Sequence, residues 1–293
     1  MRAPAAERAV DLASRGLIAA LRALPYERRV PAMGRLTAGP LSRALGWRRR
    51  IEANLDHAWP DASPELRRRI VRGAADNAGR AIMEMYSGAE FVRRVADLPI
   101  GGPGAGALAE ARDAGRPIVL VPGHFGNYNA ARACLTGAGY RLGAIYRPMS
   151  NEGFNRHYLA AMESMGGALF ARGRAGLGES LRHLRSGGML AVFADLHVGA
   201  GAPLTFFGRR AMTALTAAEL AAKFDALLIP CHAIRRPDGL GFDVHVAAPV
   251  PDGSPEARMQ AINDELEAQV RARPEQWFWI HRRWRAPRGE PAA

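Results

Sequence analysis

Cysteine occurs only twice in the 293 residues, at Cys134 and Cys231. That excludes a disulfide-stapled scaffold and a cysteine metal cluster, and it suits a reducing cytosol. No apolar run approaches the roughly 18 residues that would cross a bilayer, and no signal peptide stands out, so the chain is expected to be soluble or peripheral. No repeat of solenoid length is visible. Lysine is nearly missing as well: Lys223 stands alone among 40 basic residues, the rest being arginine. With abundant alanine and glycine, that bias matches a GC-rich coding sequence, so arginine alone does not signal phosphate recognition. What is present is a large positive excess, formally +12 with a pI near 10.9. Such a surface favours anionic membrane, phosphorylated substrates or acidic carriers, and no recognition module supports nucleic acid.

The pattern along the chain predicts a helical N-terminal portion (1–100) followed by an α/β core (101–293), the two forming one continuous domain. Residues 5–24 place Val10, Leu17, Leu21 and Leu24 on one helical face, with Arg8, Asp11, Arg15 and Arg22 on another. This face either packs on the core or lies in a membrane interface. Pro25 stops it, and a second helical stretch runs to about Trp47, ahead of Arg48-Arg49-Arg50. Asn54-Leu55 through Trp59-Pro60 reads as a turn. Ser63 and Pro64 then form an N-cap and first helical residue for a helix reaching about Arg94, with a break near Gly73 or Gly79. Gly101 to Gly106 lacks the Lys-Ser/Thr of a phosphate loop and reads as a linker. From 105 onward helices and strands alternate: strands at 117–121, 142–146, 168–170, 189–194, 227–234 and 241–247, and helices at 105–114, 126–138, 151–165, 176–186, 212–225 and 256–273. The expected fold class is therefore α/β, a central mixed sheet flanked by helices.

Candidate chemistry falls at the ends of strands. Ile118 to Val121 is a short β-branched apolar run closed by Pro122 and Gly123, which sets His124 on a crest between strand and helix. An imidazole there suits a general base, because its ordinary pKa lies near neutrality; a structural histidine is the alternative. Arg147, after strand 142–146, would clamp a phosphate or simply sit in a surface salt bridge. Asp195 and His197 follow strand 189–194 and would bond each other, orient His124, or cap a turn. Phe206-Phe207-Gly208-Arg209 is either part of a site for an apolar chain and a polar head or a core hairpin. Trp277, Phe278, Trp279 and Trp284 alternate with His281, Arg282, Arg283 and Arg285. That mixture suits a membrane interface, stacked single-stranded nucleic acid, or a tryptophan core with a solvated arginine edge.

His124-Phe-Gly-Asn-Tyr-Asn129 resembles the His-x4-Asp/Glu signature of glycerolipid acyltransferases, in the form typical of the bacterial lipid A lauroyl/myristoyl branch. Asn54-Leu55 with Pro60, Tyr146-Arg147-Pro148 with Asn151, Asp195, Phe206 to Arg209, and Pro274-Glu-Gln-Trp-x-Trp-x-His-Arg-Arg match that branch in order, over residues 50 to 285. The resemblance implies transfer of an acyl chain from acyl carrier protein or coenzyme A to a hydroxyl of a lipid A precursor or a related membrane lipid. It implies no other cofactor and no metal, and a peripheral position on the cytoplasmic face of the inner membrane, docked on anionic lipid. His124 would be the base, the residue at 129 its orienting partner, and Arg147, Asp195 and Arg209 substrate-binding residues. Where the branch carries an acid, this chain has Asn129, a neutral amide that supplies no charge to an imidazolium. Either Asp195 or Glu84 substitutes for the acid, or Asn129 is an introduced change, or the chain is a catalytically silent lipid-binding homologue.

Overall fold

The computed structural model describes residues 5–148 and 152–285; Asn151 and the side chains of Arg8 and Val10 lie outside the described residues. Helices come first: α1 (Ala5–Arg22), α2 (Tyr26–Leu36), a five-residue π turn (Thr37–Leu41), the single turn α3 (Ser42–Ala44), α4 (Trp47–Ala58), α5 (Pro64–Tyr86) and α6 (Ala89–Val95). Then follow β1 (Ile100–Gly101), α7 (Ala105–Asp113), β2 (Ile118–Gly126), α8 (Tyr128–Gly137), β3 (Leu142–Tyr146), α9 (Glu152–Glu163), β4 (Ala168–Ala171), α10 (Arg174–Arg185) and β5 (Met189–Ala191). The chain closes with β6 (Ala202–Phe206), β7 (Arg209–Thr213), α11 (Thr216–Phe224), β8 (Leu227–Arg235), β9 (Phe242–Val246), α12 (Pro255–Ala272) and a 3₁₀ turn (Pro274–Gln276).

The α/β class is as expected. Seven strands form one sheet in the order β1-β9-β8-β2-β5-β3-β4, parallel except where β8 meets β9. Its central strands read as continuous apolar runs because helices cover both faces; β8 is buried along its whole length. Met83 and Met85 of α5 share a buried cluster with Leu120 of β2 and Leu142 of β3, so the helical portion and the sheet pack into one core.

Several local expectations change. Asn54 does not lie in a turn: it belongs to α4, and its Nδ2 donates to the carbonyls of Trp279 (2.6 Å) and His281 (2.7 Å). Ser63 does cap α5, accepting from Leu66 N–H, but the helix passes Gly73 and Gly79 unbroken. Gly79 is a close-packing residue, since a Cβ there would come within 2.3 Å of Thr37 Oγ1. The helix expected over 212–225 begins at Thr216; before it, β6 and β7 pair as an antiparallel hairpin. Phe207 and Gly208 form its turn, both with positive φ (56° and 68°), the backbone that a tight two-residue hairpin needs. In α1, Ile18 and Leu21 are buried against the core, whereas Leu12 is 72% exposed.

Candidate active site

Because β2 and β5 are parallel neighbours, their C-terminal ends open on the same edge of the sheet. That is where open α/β sheets bind ligands. The register of β2 against β8 shifts between Pro122 and Gly126, a bulge that turns the strand's end out of the regular ladder. His124 lies in it. Gly126 closes the bulge with φ of 58°, and a Cβ there would sit 1.8 Å from Ala233 O, so no side chain fits.

Asp195, on the turn after β5, meets this bulge twice. Its Oδ2 accepts the His124 backbone N–H at 2.7 Å, and its Oδ1 lies 2.8 Å from His124 Nδ1. Trp277 Nε1–H donates to Oδ2 from the C-terminal segment at 3.1 Å. Burial by itself would push the Asp195 carboxyl up; the imidazole's charge and these three donors outweigh it and hold the group down at about 2. A carboxylate on Nδ1 assigns the proton to that nitrogen and leaves Nε2 with its lone pair, the tautomer a general base needs. The His124 side chain keeps 21% of its surface exposed while Asp195 keeps 3%. Phe193 and Phe278 pack on the ring at centroid distances of 4.4 and 5.9 Å.

Position 129 behaves otherwise than expected. Asn129 is buried on the first turn of α8, its backbone N–H donating to Asn127 Oδ1 at 3.0 Å; its own Oδ1 has no partner, and Asp195 takes the imidazole in its stead. Glu84, the other candidate acid, does not reach the ring. Wholly buried, it takes both outer nitrogens of Arg235 and accepts from Asn127 Nδ2 at 2.7 Å. Arg235 Nε donates to Asn77 Oδ1, and Asn77 Nδ2 donates to the carbonyl of Gly126 at 2.9 Å. This buried network fixes the backbone just beyond His124.

The other predicted residues disperse. His197 does not bond Asp195; its N–H donates to His281 Nε2 at 3.0 Å, and burial pushes His281 down to about 4, so the acceptor is neutral near pH 7. Arg209 is exposed on the β6–β7 hairpin, with Nε donating to His57 O, and Arg147 is exposed beyond β3. Neither lines the cavity beside His124. That cavity, about 280 Å³, runs along α5 past Ala74, Ala78, Ala81 and Met85, with His124 and Asn129 on its opposite wall. Its apolar lining went unrecognised in the sequence, although Ala74, Ala78, Ala81 and Met85 recur at helical spacing.

The aromatic C-terminal segment is core. Trp277 and Trp279 are buried and pack against Phe206 and Phe207 of the hairpin. Arg283, expected at a solvated edge, is fully buried: its Nη1 and Nη2 donate to Met212 O and Thr213 Oγ1, both at 2.6 Å. Thus Asn54, Asp195, the Phe206–Arg209 turn and the tryptophans, scattered in sequence, meet around one strand end.

A family model described as bacterial lipid A biosynthesis acyltransferase matches residues 5–286. A lipid A biosynthesis acyltransferase of Haemophilus influenzae is 24% identical over 272 residues, 88% of this chain and 81% of that protein. A phosphatidylinositol mannoside acyltransferase of Mycobacterium tuberculosis is 26% identical over 201 residues, 67% of this chain and 63% of its own length. The match over nearly the whole length places this chain in the bacterial lipid A biosynthesis acyltransferase family.

Proposed function

We propose that the protein moves a fatty acyl chain from the thioester of acyl carrier protein or coenzyme A to a hydroxyl of a lipid A precursor or a related glycolipid. The His124–Asp195 pair carries the proposal. Nε2 of His124 takes the acceptor's hydroxyl proton as its oxygen attacks the thioester carbonyl. The C–S bond then breaks, and the departing thiolate recovers the proton from the imidazolium. Asp195 holds the tautomer and stabilises the imidazolium, so an acid at position 129 is not required. The acyl chain occupies the apolar cavity along α5. No described helix is long and apolar enough to cross a membrane. We assign the contact with anionic lipid, at the cytoplasmic face of the inner membrane, to the basic helical portion 1–100; exposed Arg147 and Arg209 remain candidates for acceptor phosphates.

The test is transfer of a lauroyl thioester to lipid acceptors, followed by lipid mass. His124→Ala is expected to remove turnover while leaving the protein folded. Turnover that survives His124→Ala sinks the assignment. No transfer by the intact protein to any acceptor of either class would favour a silent lipid-binding homologue.

A further inference from the structure

A cavity of about 860 Å³, larger than the one beside His124, lies in the helical portion. It is a groove between α2, the π turn, α4 and α5, lined by six arginines and three carboxylates. Pro40, with no N–H to give and a ring that crowds the preceding turn, lies inside the π turn, which puts Ala38 and Gly39 in the groove's wall. Every carboxylate in it is already engaged: Glu52 with Arg48 at 3.0 Å, Asp56 with Arg67 at 2.6 Å, Asp76 with Arg80 at 2.5 Å. Arg35, Arg43 and Arg72 have no carboxylate partner among the described residues; Arg35 donates only to a carbonyl of its own helix, Pro31 O. Three guanidinium groups thus face one groove with their charge uncompensated. Guanidinium forks match phosphate oxygens better than any other side chain does.

The groove and the apolar cavity share two walls. Helix α4 gives Trp47 to the cavity and Arg48 to the groove; α5 gives Ala74 and Ala78 to the cavity, Val71 and Arg72 to the groove.

We infer that the groove of Arg35, Arg43 and Arg72 holds the phosphate of the donor's pantetheine arm, the element that acyl carrier protein and coenzyme A have in common. This rests on the acyltransferase proposal, and it places the donor's polar half on the helical portion, away from Arg147 and Arg209. An acceptor phosphate would offer the same oxygens, so the vesicle arm of the test below separates the two.

Calorimetric titration of the full chain with phosphopantetheine and with pantetheine isolates the phosphate. The intact protein is expected to prefer phosphopantetheine by about tenfold or more, the worth of one or two charge-assisted hydrogen bonds. Arg35→Ala/Arg43→Ala/Arg72→Ala is expected to erase the preference and leave pantetheine affinity unchanged, and Arg72→Glu alone to weaken it. All three side chains are exposed, so folding is not at stake. A preference that persists in the triple variant overturns the inference, as does its absence from the intact protein. So does a triple variant that keeps the preference but no longer binds phosphatidylglycerol vesicles, which would give the groove to lipid headgroups. His124→Ala is expected to retain the preference, so a failed donor site and a failed acyltransferase assignment are distinguishable.

Discussion

Two buried carboxylates flank the crest of β2, and they are held in opposite ways. Glu84 is saturated by a guanidinium: both of its oxygens go to Arg235, and what remains goes to Asn127. Asp195 has no arginine or lysine partner in the structure; its donors are an imidazole, a backbone N–H and an indole N–H. A carboxylate neutralised by a fixed cation can anchor backbone but has little left to give an imidazolium. One held by an imidazole, a backbone N–H and an indole N–H, with no fixed guanidinium on it, keeps its field for the imidazole as it charges. Under the proposed function, the comparison gives Asp195 the role that an acid at position 129 would otherwise take, and gives Glu84 an architectural one.

The sharpest way to break it is Asp195→Asn. Loss of the tautomer-setting charge is expected to lower kcat about 10⁴-fold, as in other His–carboxylate pairs. Equal losses in Asp195→Asn and Glu84→Gln would erase the distinction. Next in size, Glu84→Ala strands Arg235 and is expected to cost about 3–5 kcal/mol in denaturant unfolding, whereas Glu84→Met/Arg235→Met, which removes both charges, should recover most of it. A double variant as unstable as the single one would make Glu84 more than an architectural partner. A smaller effect comes from His281, whose folded pKa of about 4 lies below its ordinary 6.5. The unfolded chain therefore binds the extra proton first, and stability present above pH 6.5 is lost as pH falls towards 4. His281→Gln is expected to flatten that slope in urea midpoints measured across the window. The smallest effect is Asn129→Asp, which adds a carboxylate that does not meet the ring; no rise in kcat is expected. A several-fold rise would return position 129 to the imidazole's side.

Much of this was legible in the sequence. The β-branched run before Pro122 located the crest, and alternation of strands and helices gave the sheet. Ser63-Pro64 marked the start of α5. What the sequence hid was long-range. That Asp195 orients His124 is one of the readings the sequence allows, but it cannot be chosen over the others: the two stand 71 residues apart, and their contact depends on β5 inserting between β2 and β3, which periodicity does not encode. The hairpin at Phe206–Arg209 is among those readings, but the sequence starts the helix after it too early because the Thr213 hydroxyl resembles a cap, although it serves the buried Arg283. Arg283 itself looked solvated because its partners are backbone and hydroxyl groups of β7, invisible as charge pairs. Asn54 looked like a turn residue because the carbonyls it serves lie 225 and 227 residues away.

Trp277 supplies one of Asp195's donors, and the carbonyls that engage Asn54 belong to Trp279 and His281. During synthesis these residues leave the ribosome after both His124 and Asp195. A nascent chain stalled ahead of Trp277 would already contain the histidine and the aspartate, yet lack the indole that donates to Asp195 Oδ2. Full seating of the aspartate is therefore expected only once this C-terminal segment has docked, after the sheet itself has assembled.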